Sequence, residues 1–295
     1  MGGIVFALLA ALCNAVSVIV RYRASTADPH RPTGRRLVGY LLSSPQWLAG
    51  WGAQVGAFVC QAVALHFGQV SVVQPLLVVE LVISLVLRRI WIHQAINGTA
   101  WTGAVGACAG LAVFIVAAEP RGGRPGPTAG HWAVVIAGCV AVIVVLSLLA
   151  MASSSGWKAA LRASAAGVTW ALEAAFIKSM TDDAAQGGVA GLFTHWPVYA
   201  VAVGGAAGVL LEQAALQEGP LRVTQPLLVI VDPLVSVGLS VWLFGEYFVM
   251  NAAVLTAAAI GFCVMCAGVV VMSLTAPATL DADVAPTEPP RIRSG

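Results

Sequence analysis

Two carboxylates stand where a membrane-sized apolar segment is least able to accommodate them. Glu80 is at the midpoint of LLVVELVIS and Asp232 at the midpoint of LLVIVDPLVS, each within an unbroken apolar run. An ionisable group at the centre of a bilayer costs about 2.5–3.5 kcal/mol on insertion scales, so each needs a reason. One reason is proton or cation coupling, since burial favours the neutral carboxylic acid over its anion. The other is packing, with the acid held by a neighbouring Ser, Thr or amide. Glu173 is a third candidate of the same kind, and Trp170 precedes it by one turn. Gln74 and Gln225 precede Pro75 and Pro226 at the start of their helices, where proline is ordinary. Their amides can bridge helices or line a cavity. Glu212 and Glu246 lie near the ends of apolar runs and read as interfacial, and Lys178 reads as snorkelling outward.

No constellation for catalysis accompanies these groups. The chain has no H-E-x-x-H, G-x-S-x-G or Walker A motif, so no enzyme, cofactor or nucleotide-driven pump is expected. His66 and His195 lack metal-ligand spacing, and no metal site is assigned. Composition narrows the class further. Of 295 residues, 59% are hydrophobic and 9% charged, with a mean hydropathy of +0.88. A soluble domain would carry near 25% charge. A soluble enzyme and a nucleic-acid binder are therefore excluded, and the bilayer itself is a partner.

The elements that must position these residues are helices, because the apolar runs continue for about twenty residues without the alternation of a barrel strand. Nine spans are expected near residues 3–20, 46–66, 70–90, 99–118, 131–151, 159–180, 192–216, 221–244 and 251–275. The connector EPRGGRPGPTAG is non-helical by its Pro and Gly. With the N-terminus outside, cytoplasmic segments carry twelve of the 15 Lys and Arg, leaving Arg121, Arg124 and Lys178 outside. That bias predicts a multi-pass plasma-membrane protein, N-terminus outside and C-terminus cytoplasmic. All six cysteines fall inside spans, where Cys263 and Cys266 read as packing residues rather than a redox pair. Trp47, Trp91, Trp101, Trp132, Trp157 and Trp196 read as an interfacial belt.

An internal repeat organises the spans. QAVALHFGQVSVVQPLLV from Gln61 and EQAALQEGPLRVTQPLLV from Glu212 share nine of eighteen positions at an offset of 151. Gly68 with Gly219 and the QPLLV block are the telling matches. Five spans separate the copies, an odd number, so the copies point opposite ways. A one-residue insertion also aligns Glu80 with Asp232 and Ser84 with Ser236; without it the acids differ by about 100° around their helices. The expected architecture is all-α and polytopic: a first repeat at 1–120, a loop and linking helix at 121–157, a second inverted repeat at 158–276, and a disordered cytoplasmic tail at 277–295. Two inverted four-helix repeats about a midplane site are how secondary transporters achieve alternating access.

The repeated QxxALxxGxxxVxQP and the LFGE of Leu243–Glu246 resemble the drug/metabolite transporter superfamily. The resemblance is best from Ala165 to about Val271, including the AxxK of Ala175–Lys178. Most of that superfamily has ten helices. Nine with N-out topology look more like its EamA-like/NIPA-like nine-helix branch, whose magnesium transporters give the first alternative substrate. The first half departs from the pattern, with no acid near Ala95 to match Glu246. The resemblance implies a secondary carrier of a small metabolite or cation, and the depth of Glu80 and Asp232 makes them the residues expected to couple it to protons. Its alternatives are a magnesium carrier or channel and a membrane scaffold that transports nothing. A homodimer stays open as a partner arrangement.

Overall fold

The computed structural model describes residues 2–26, 45–93, 96–118, 121–122, 126–153, 155–219, 221–248 and 251–274. The predicted tail at 277–295, most of the basic stretch before Pro45, and Ala95 lie outside these residues. Among the described residues ten helices follow one another: α1 Gly2–Thr26, α2 Pro45–Phe67, α3 Val70–Leu77, α4 Val79–Trp91, α5 Gly98–Ala118, α6 Ala129–Ala152, α7 Ser155–Thr194, α8 Pro197–Glu218, α9 Leu221–Leu243 and α10 Ala252–Leu274. Two two-residue strands, β1 Arg121–Gly122 and β2 Glu246–Tyr247, pair antiparallel. The chain is an all-α polytopic membrane protein.

Local chemistry sets the helix starts. Pro197 opens α8, and Thr128 caps α6 by accepting from the His131 N–H. Asn97 and Asn251 open α5 and α10 in the same manner, each accepting from a backbone N–H two residues on, at 3.3 and 3.0 Å. Such caps satisfy donors that a helix end otherwise leaves bare.

Among the described residues, eight helical stretches are long and apolar enough to cross a membrane, with α3 and α4 counted as one. The predicted span at 159–180 is helical but is not among the eight. It lies within α7, whose stretch from Ala165 to Ile177 is almost wholly buried except for a half-buried Trp170. Side chains that face protein need not be as apolar as those that face lipid. By contrast the linking helix α6 turns Val134, Val140, Val144, Leu148 and Leu149 outward, as a lipid-facing helix must.

Helices pack in a recurring pattern. α1 lies against α2, and α7 against α8; α5 lies antiparallel against α10. That last seam is built on glycine. A Cβ on Gly103 would meet Gly268 O at 2.8 Å, and one on Gly110 would meet Gly261 O at 2.5 Å and Met265 N at 2.2 Å. Both helices space these glycines by seven residues, and each helix's first contacts the other's second. Small residues let the two backbones touch.

The shared Gly68 and Gly219 have the same explanation. The α2–α3 turn meets the start of α1, where a Cβ on Gly3 would fall 2.9 Å from Gly68 Cα. The α8–α9 turn meets the start of α7, where a Cβ on Gly219 would fall 2.3 Å from the Ala159 Cβ. The α2–α3 turn also touches Lys178, 19 residues beyond Ala159 on α7, or about 28 Å along the helix. The two turns therefore sit at opposite ends of the bundle.

Candidate functional site

The α7–α9 contact holds two of the predicted acids. Gly167 admits Val231 so closely that a Cβ there would fall 2.8 Å from the Val231 Cβ. This approach brings Glu173 and Asp232 within electrostatic range of one another. Glu173 is buried, and its Oε1 lies where a Cβ on Gly205 of α8 would be, at 2.8 Å. Asp232 is half-buried and accepts a hydrogen bond from Ser236 Oγ at 3.1 Å. Ser236 is the i+4 hydroxyl that the repeat pairs with Ser84, itself buried.

Trp170 sits one turn below Glu173 and packs on Gly208, whose Cβ would lie 3.1 Å from the indole. Its Nε1 donates to Glu212 Oε2 at 3.2 Å. Glu212 is half-buried between helices, not a surface anchor. The glycines at 204, 205 and 208 thus make room for the polar face of α7.

Gln74 and Gln225 occupy equivalent helices but different surroundings. Gln74 is 2% exposed, and its Nε2 makes no hydrogen bond; Gln225 is half-buried. A buried amide donor with no acceptor is costly, and a ligand oxygen would satisfy it. Glu80 is half-buried in the first turn of α4. The helix is broken beside Glu80 and not beside Asp232. α9 runs unbroken through Pro226 and Pro233, whereas the first-half helix is interrupted at Val78. There Val78 N donates to Pro75 O and Leu81 N to Val78 O, both at 3.1 Å. These are i to i−3 bonds, and each residue so wound adds about 20° of rotation. That moves Glu80 in the direction that reduces its 100° offset from Asp232.

Two further side chains tie the halves together, and both correct the sequence reading. Glu246 is 2% exposed rather than interfacial. Its Oε1 accepts from Val70 N at 3.0 Å, and its Oε2 from Ser71 N at 3.2 Å and Ser71 Oγ at 2.5 Å. It is a carboxylate on the N-terminus of α3, where the helix dipole favours it. Lys178 does not snorkel outward. Its Nζ donates to Leu65 O at 3.0 Å and Gly68 O at 3.3 Å, closing the C-terminus of α2, and lies 5.5 Å from the Phe244 ring centroid. The AxxK and LFGE residues of the second half therefore grip the α2–α3 turn of the first. The opposite turn is served by Glu218, which pairs with Lys158 and Arg162 at 3.0 Å.

Trp132 departs from the predicted belt. It is buried and packs edge-on against Trp196, with ring centroids 5.0 Å apart, and against Phe176 and Phe244. All six cysteines are free.

The chain is similar to an uncharacterized protein of Corynebacterium glutamicum, with 29% identity over 247 residues, covering 83% of this chain and 85% of that one. No family model matches the chain, and no solved structure matches it.

Proposed function

We propose that the chain is a secondary transporter of the drug/metabolite transporter type, working by alternating access between two inverted four-helix repeats. In this reading α7 is the ninth span. It lies antiparallel beside α8 from Ala159 against Gly219 to Phe176 against Gly204, and so covers much of the depth that α8 covers.

The observation that carries the proposal is the exchange of contacts across the α5–α10 seam. Gly103 meets Gly268 while Gly110 meets Gly261, the reciprocal pattern that a two-fold axis imposes on equivalent surfaces. The two Asn caps, the two turn glycines and the α1–α2 and α7–α8 pairs also correspond between the halves, each at its own spacing along the chain. Within this frame, Glu173 and Asp232 form the coupling centre. Two carboxylates held near each other away from water repel unless a proton or cation joins them. Exchanging that proton or cation for substrate is the coupling step. Glu80, on its broken helix, is the first-half counterpart of Asp232. Gln74 offers its unsatisfied amide to a substrate oxygen, while Gln225 and Trp170 complete the wall. The grip of Lys178 and Glu246 closes the end that the charge bias places outside.

The test is flux through purified protein in liposomes, over a panel of amines, amino acids and magnesium, with and without a proton gradient. The expected result is gradient-driven uptake of a small organic solute, lost in Glu80→Gln and Asp232→Asn variants that stay folded. Magnesium flux indifferent to pH would establish the magnesium alternative. Wild-type rates and pH dependence in the double variant would overturn the coupling scheme.

A further inference from the structure

At the α2–α3 end, several elements converge on a cavity of about 470 Å³, within the range of pockets that take drug-sized ligands. Its lining includes His66 from α2, Trp132 from α6, Asp182 and Asp183 from α7, and Trp196 at the head of α8. We propose that this cavity binds an organic cation, a quaternary ammonium or protonated amine, between the two aspartates and the two indoles.

The charge balance favours a cation. The two aspartates are adjacent on α7, and Lys178 on that helix, held by the Leu65 and Gly68 carbonyls, lies within electrostatic range of Asp182, so two carboxylates face one lysine. Neither carboxylate is hydrogen-bonded by the imidazole beside it. His66 Nδ1 is 3.7 Å from Asp182 Oδ1, and His195 Nδ1 is 3.9 Å from Asp183 Oδ2, both too long. His195 Nδ1 donates instead to Gly191 O at 3.0 Å, and His66 Nδ1 is buried without a hydrogen-bond partner. The pocket therefore offers two acceptors with unspent capacity.

The walls select the kind of cation. Among the described residues, no group of three His, Cys, Asp or Glu side chains is placed to hold a metal ion. Two tryptophans stand beside the carboxylates instead, and indole is the side chain that best attracts an alkylated ammonium. The cavity is distinct from the midplane acids. Asp182 is nine residues beyond Glu173, or about 14 Å along the helix. Binding here does not depend on transport, so failure of either idea leaves the other standing.

Isothermal titration calorimetry on the full chain in nanodiscs tests this, using choline and 3,3-dimethyl-1-butanol, which has the same shape without the charge. Choline should bind saturably, and the alcohol at least tenfold more weakly. Asp183→Asn and Trp196→Leu should each weaken choline at least tenfold, Asp183→Glu should retain it, and Trp157→Leu at the other end should change nothing. Equal binding of the alcohol, no saturable choline binding, or unchanged affinity in Asp183→Asn would overturn the proposal. So would competitive displacement of choline by magnesium alone. If Asp183→Asn does not fold, the choline–alcohol comparison on the unmodified chain decides.

Discussion

Replacing Glu246 with Gln should loosen the α2–α3 turn by an amount the geometry allows us to estimate. The carboxylate takes two backbone N–H groups and one hydroxyl at 3.0, 3.2 and 2.5 Å, all at the first turn of α3. Hydrogen bonds to a charged group contribute about 1.5–3 kcal/mol each, and a negative charge at a partly buried helix N-terminus adds up to about 2 kcal/mol. Gln keeps one oxygen acceptor but turns an NH₂ towards the Ser71 donors. Against this, the buried carboxylate no longer has to be desolvated. The net loss comes to about 2–3 kcal/mol, or roughly 30- to 150-fold in the opening equilibrium at 1.4 kcal/mol per decade. Deuterium exchange of peptides spanning 66–77, in nanodiscs, reads this directly, because the Val70 and Ser71 amides are the groups released. Exchange should quicken by that factor there and stay unchanged across α5. Protection within threefold of the unmodified protein would refute the idea that Glu246 holds the turn shut.

At the α5–α10 seam, Gly110→Leu should lower stability by at least about 3 kcal/mol, because its Cβ has Met265 N at 2.2 Å. Gly138→Leu, with nothing within 4 Å, should be tolerated; thermal unfolding compares the two. Burial pushes the Asp182 carboxyl above the usual aspartate range, with Lys178 and His66 drawing it back and Asp183 adding to the rise. Choline needs that carboxyl ionised, so its affinity should fall with decreasing pH, starting above the pH where a free aspartate near 3.9 would titrate; calorimetry across pH checks the sign. A reporter fused after Gly295 should read cytoplasmic and one inserted near Gly126 external.

The sequence alone determined the solvent. Apolar runs of bilayer length admit no soluble fold, and in hydrocarbon a helix is what satisfies its own backbone. The match between the two hairpin sequences was legible as well, because Gly, Gln and Pro in register are specific where Leu and Val are not. The reason for Gly68 and Gly219 was not legible, since close approach to Gly3 and Ala159 involves residues more than fifty positions away. Tertiary structure also decided which acids share an environment. Glu80 and Asp232 align along the chain by a one-residue insertion, but across the α7–α9 contact it is Glu173 that lies within electrostatic range of Asp232. Tertiary structure likewise buried Glu246 and Trp132 and turned Lys178 onto the α2–α3 turn, three residues that distance from a span's centre had assigned to the interface. α7 was helical on any reading. Its modest hydropathy reflects a position inside the bundle, where its neighbours are protein rather than lipid. Hydropathy reports the medium a helix faces, and only packing determines which faces meet lipid.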